Sequence, residues 1–231
     1  MNDWTSRYAT AILSLDRYSD LVNAVITIAG HRRPAIDIHA PNNRIESTAH
    51  QIRSMVPHLA SAKMANTPRG CAALMAHLHN ALFDDLGLGG DGEIALHPDA
   101  SDFGLVLDTG RGLPIACALV YCAIAERLGL NAFGIDAPGH FLVGVQDGDN
   151  TMIIDAFGSG RLIDRREFSH LIHAFDEDAN PDELIQPAPP SVWLERWLRN
   201  LVIACDRCGE SHLVSVWTGL IEETSRSLGP K

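Results

Sequence analysis

Residues 111–160 read RGLPIACALVYCAIAERLGLNAFGIDAPGHFLVGVQDGDNTMIIDAFGSG. Pro114 stands where a helix accepts proline, in its first turn. Ile115, Leu119, Val120, Cys122, Ala123, Ile124 and Ala125 then make a segment apolar almost all round, ended by Leu128-Gly129. A helix without a polar face is a buried helix. Two β-like segments follow: a short one at Ala132–Ile135, then His140–Val145 and Met152–Ala156 around the turn DGDN. If Asp147–Asn150 close that hairpin, Leu142 faces Asp155. His140 lies two residues further along and shares its face, because strand side chains alternate. Diagonal neighbours have backbones about 7–8 Å apart, within reach of two polar side chains. An aspartate placed there holds an imidazole in one tautomer and raises its basicity.

The remainder reads as helices around this stretch. Apolar positions from Trp4 to Ala29 form helical segments broken near Ser19, with Ser19 or Asp20 as cap. HRRPAIDIHAPNN is a connector in which Pro34 and Pro41 act as breakers. Ile45–Val56 and Cys71–Leu86 are helices, the second ended by the glycines of LGLGGDG. A short helical turn is expected at Phe103–Leu107. Helical signals return at Arg165–Ala174, and Gln186–Pro190 punctuates the chain before a helical tail, Val192–Leu220, interrupted at CDRCGE. The expected fold is α+β: a buried helix packed on a small antiparallel sheet, with N-terminal helices. It divides into a domain over 1–186 and a helical C-terminal appendage over 187–231.

At 231 residues the chain can bury one substantial core. Its formal charge of −11 argues against nucleic-acid and anionic-lipid surfaces, which need concentrated Lys and Arg. No window approaches the roughly 18 consecutive apolar residues of a membrane span, and the N-terminus lacks the pattern of a signal peptide. A cytoplasmic location is expected. The odd number of cysteines, five, then favours thiols over disulfides.

A His–Asp pair calls for a nucleophile or a metal. Cys117 is the nearest thiol, within the first turn of the buried helix, where unpaired N–H groups favour thiolate. A cysteine in so apolar a helix is also an ordinary small hydrophobe. Cys205-Asp-Arg-Cys208 with His212 lacks a fourth ligand at zinc spacing, so no metal is expected there, and no cofactor elsewhere. Arg111 and Arg161 flank the central stretch as candidate carboxylate clamps or as solvated loop residues.

Four pieces in order, NALFDDLGLGGD, GLPIACALVYCAIAERLGL, GIDAPGHFLV and IIDAFGSGRLI, resemble the SirB-type branch of the transglutaminase-like superfamily, on a papain-related fold. The tail WLERWLRNLVIA also looks like that branch. The resemblance implies a transglutaminase-like core in which a cysteine begins the buried helix and a histidine and an aspartate follow on adjacent strands. His140 and Asp155 match the latter two. The cysteine position falls near Pro114, with Ala116 where serine is usual and Cys117 where leucine is usual. Three readings stay open. The site is degenerate and binds a peptide or small amide ligand without turnover, which is the leading expectation. Alternatively Cys117, His140 and Asp155 form an acyltransferase or amidase triad. In the third, His140 is general base for a substrate that brings its own nucleophile. The sequence leaves oligomeric state open.

Overall fold

The computed structural model describes residues 3–57, 67–90 and 97–229. Helices α1 (Asp3–Ala11), α2 (Tyr18–Arg32), α3 (Ala40–Met55), α4 (Pro68–His79), α5 (Phe103–Thr109) and α6 (Pro114–Leu128) precede four strands. These are β1 (Ala132–Ala137), β2 (His140–Asp147), β3 (Asn150–Asp155) and β4 (Arg161–Ile163), forming one antiparallel sheet in the order β1-β2-β3-β4. Helices α7 (Arg165–His173), α8 (Pro181–Leu184), α9 (Pro190–Arg207) and α10 (Ser211–Leu228) complete the described chain. Mixed helix and antiparallel sheet is the α+β class expected.

Helix α6 is the axis of the molecule. Every residue from Ile115 to Ala125 is buried, which is why its sequence shows no polar stripe. Phe141, Val143, Val145 and Ile154 share a hydrophobic cluster with α6, whereas Leu142, Ile153 and Ile163 belong to a second cluster with Phe168 and Ile172 of α7. Both faces of the sheet are thus covered, so β2 reads as a nearly continuous apolar run. The segment 187–231 contributes Trp193, Trp197 and Trp217 to the cluster that surrounds α6. All three are at most 2% exposed.

Hairpins β1–β2 and β2–β3 have two-residue turns. Gly148 carries a φ of 60° at the first central position, as a type II′ turn requires. In the Pro138-Gly139 turn the positive φ, 69°, falls on the second position. That is the type II arrangement, whose twist matches a hairpin poorly.

Several boundaries differ from expectation. Pro41 lies within the first turn of α3 and does not break it; the helix starts at Ala40, five residues before Ile45. A missing N–H costs nothing where no intrahelical acceptor exists. Helix α2 begins at Tyr18, so Asp20 acts from inside the first turn, where its Oδ2 accepts the Arg17 N–H at 3.0 Å. The expected helix to Leu86 is α4 followed by a π-helical turn, Asn80–Asp85, which packs Phe83 edge-on to His79 and stacks it on Tyr121. Strand β4 lay unrecognised, being three residues long with two of them exposed.

Candidate functional site

Hairpin β2–β3 has the register expected of its turn: Val143 pairs with Ile154, which sets Leu142 opposite Asp155. His140, first residue of β2, is therefore diagonal to Asp155, last residue of β3. Their side chains meet, with His140 Nε2 2.8 Å from Asp155 Oδ1. An ionised carboxylate only accepts, so Nε2 carries the proton and donates it. In the neutral imidazole Nδ1 then keeps its lone pair. His140 keeps 17% of its side chain exposed, and Phe157 stands edge-on to the ring at 5.9 Å.

Asp155 is held from three sides. The Gly158 N–H donates to Oδ1 at 2.9 Å, and Arg161 Nη2 lies 3.8 Å from Oδ2. Burial alone would raise its pKa. The hydrogen bonds from His140 and Gly158, with the charges of His140 and Arg161, outweigh burial and bring it below 3.8. The turn after β3 makes this possible: the Gly160 N–H bonds Asp155 O at 2.9 Å, folding Gly158 back onto the carboxylate.

Cys117 lies elsewhere in the hydrogen-bond network. It is the fourth residue of α6 and fully buried, and its thiol points to Gly89 O at 3.7 Å. Burial pushes its pKa up to about 12, with the Asp155 charge adding to the rise. The backbone N–H groups of Cys117 and Gly112 and the charge of Arg111 pull the other way and lose. The helix start thus fails to make a thiolate here. Among the described residues no hydrogen bond joins Cys117 to His140. Cys122 is equally enclosed.

A further residue touches the site from a distance. Arg196 of α9 donates through Nη1 to Ala137 O at 3.0 Å and through Nη2 to His140 O at 2.9 Å, pairs with Asp136, and lies 5.4 Å from the Phe141 ring centroid. No local pattern marks it, since it stands 56 residues from His140. Gly158 and Phe157, both in the IIDAFGSG segment, also border the pair. Arg161, one of the two flanking arginines, pairs with Asp155 and with Glu167 of α7.

Two cavities of about 750 and 700 Å³ lie away from this pair. One sits between α3 and α5, lined by Arg33, Arg44 and Gln51 among others, and one beside α1 and α2, lined by Asn23, Ile26 and Asn42. At the C-x-x-C, Cys205 is buried and its sulfur accepts the Trp217 Nε1–H at 3.3 Å. Among the described residues no group of three His, Cys, Asp or Glu could hold a metal ion. No described helix is long and apolar enough to cross a membrane.

Residues 40–199 match the transglutaminase-like superfamily. That span starts at α3, includes α6 and the whole sheet, and ends within α9, just past Arg196. The chain belongs to the transglutaminase-like superfamily. A UPF0162 protein of Xylella fastidiosa strain 9a5c is 28% identical over 191 residues, covering 80% of this chain and 65% of the relative. The UPF0162 protein PA3419 of Pseudomonas aeruginosa is 27% identical over 176 residues, or 72% of this chain and 61% of the relative. The chain thus spans just under two thirds of the length of these superfamily relatives. No solved structure matches.

Proposed function

We propose that this chain is a SirB-type member of the superfamily that binds a peptide or small amide-containing ligand at His140–Asp155 without forming a covalent intermediate. The state of Cys117 carries this reading. A fully buried thiol bonded to a backbone carbonyl, with a pKa raised to about 12, has on the order of 10⁻⁵ of its population as thiolate at pH 7. His140, in contrast, presents Nδ1 as an acceptor backed by a carboxylate, which suits the N–H of a ligand amide. The same feature favours one further reading, in which His140 is general base for a substrate that brings its own nucleophile. The acyltransferase reading would need Cys117 to turn out of the core toward His140.

No disulfide joins the cysteines among the described residues, and that usage supports action in the reducing cytoplasm.

Iodoacetamide labelling of the native protein tests the reading. Exposed Cys208 is expected to label first and buried Cys117 far more slowly. Rapid labelling of Cys117 at neutral pH would restore the triad. Titration with N-acetyl dipeptide amides, followed by the His140 ring ¹⁵N signals, is expected to shift those signals and return the amide unchanged by mass spectrometry. Release of ammonia or an acyl-transfer product would overturn non-covalent binding.

A further inference from the structure

We infer that Arg196 is a positioning residue: from helix α9 it fixes the turn that aims His140 at Asp155. This rests on the reading of His140–Asp155 as the working pair. Pro138-Gly139 joins β1 to β2 directly before His140, with Ala137 paired to His140 at its base. Its positive φ falls on the second residue, so the turn does not by itself supply the twist of a hairpin. The β1–β2 ladder pairs the two flanks, and a brace from outside the sheet can fix the turn further. Arg196 does so by donating to the carbonyl oxygens of both Ala137 and His140, one on each flank. A planar guanidinium with donors in a fixed fork suits two acceptors at a set separation.

The head is itself fixed. Asp136, one residue before the turn, pairs with Nη1, and the Phe141 ring, one residue after His140, lies beneath the guanidinium. Contacts on residues 136, 137, 140 and 141 therefore bracket the turn completely. The stem is anchored by neighbours in α9: Trp193 and Trp197, three residues before and one after, are both buried in the main core. Phe141 packs against Trp193 with ring centroids 4.3 Å apart. The imidazole thus takes its place from a helix far along the chain as well as from its own strand.

The test reads the His140 ring by ¹⁵N NMR on the full chain, as the ratio of Nε2–H to Nδ1–H tautomers. His79, bonded to Tyr121, is the internal reference. Asp155→Ala is expected to lower the ratio about tenfold, the equivalent of ~1.4 kcal/mol. Arg196→Met keeps an apolar stem over Phe141 and removes every donor. It is expected to lower the ratio about threefold or more, with Arg196→Lys intermediate because an ammonium offers a point charge in place of a fork. A merely structural role would lower Tm and leave the ratio unchanged. An unchanged ratio in Arg196→Met, with Asp155→Ala shifted, overturns the inference alone. An unchanged ratio in Asp155→Ala removes the reading of the pair beneath it. Should Arg196→Met fail to fold, Asp136→Asn is read instead. That change loosens the guanidinium without deleting it, and a drop of about twofold is expected, no drop refuting the proposal.

Discussion

Replacing Trp197 with alanine is expected to destabilise the fold by about 3–5 kcal/mol, the range for deleting a large aromatic from a packed core. The side chain is fully buried, its ring faces Phe103 with centroids 6.4 Å apart, and its Nε1–H donates to Ser101 O at 3.0 Å. Alanine would leave a cavity between α9 and the turn before α5, and would strip a buried carbonyl of its donor. Trp197→Phe separates the two effects: it keeps most of the volume, loses the hydrogen bond, and is expected to cost about 1–3 kcal/mol. Urea unfolding monitored by circular dichroism reads both, as a lower midpoint at unchanged slope. A loss below about 1 kcal/mol for Trp197→Ala would mean that 187–231 is an appendage energetically independent of the α6 core.

Asp155→Ala is expected to cost about 2–3 kcal/mol at neutral pH, because hydrogen bonds to a charged group are worth more than neutral ones. Its removal leaves the Gly158 N–H, the His140 Nε2–H and Arg161 without a shared acceptor. The pH dependence has a definite sign. Asp155 has a folded pKa below its ordinary 3.8, so the folded state binds its proton less readily than the unfolded chain. Its stabilisation is complete above the unfolded value and fades as pH falls through the folded one. The gap between wild type and Asp155→Ala should accordingly be widest near neutrality and narrow below about pH 4. A gap that stayed constant from pH 7 to pH 3 would show that the carboxylate is not held in its charged form.

Much of this arrangement is legible in the residues, for physical reasons that can be named. Helix α6 announces burial because every face is apolar, and Pro114 and Gly129 mark its ends. The hairpin register follows from closure at Asp147–Asn150, and register with side-chain alternation brings His140 to Asp155. The same reasoning stops short at Cys117. A helix apolar on all sides has no phase, so no pattern tells which way the fourth residue points, and the thiol's bond to Gly89 O is set by a loop 28 residues earlier. Pro41 misled because proline breaks a helix interior but suits a first turn, and only the helix start distinguishes the two. Strand β4 is too short to display a period. Arg196 was invisible because a polar residue on an amphipathic helix looks the same whether it faces water or the carbonyls of a distant turn.

Helices α1 and α10 are joined by a buried hydrogen bond that bears on how the molecule is made. Tyr8 of α1 meets Thr224 of α10 in a site with no exposure at either residue. Because the Thr224 hydroxyl already donates to Leu220 O at 2.7 Å, the phenol must be the donor. These partners are 216 residues apart. At translation rates of about 5–20 residues per second, α1 leaves the ribosome roughly 10–40 s before the threonine that seals it exists. During that interval the nascent chain carries Tyr8 without its final partner, and α10, made long after α1, closes over it.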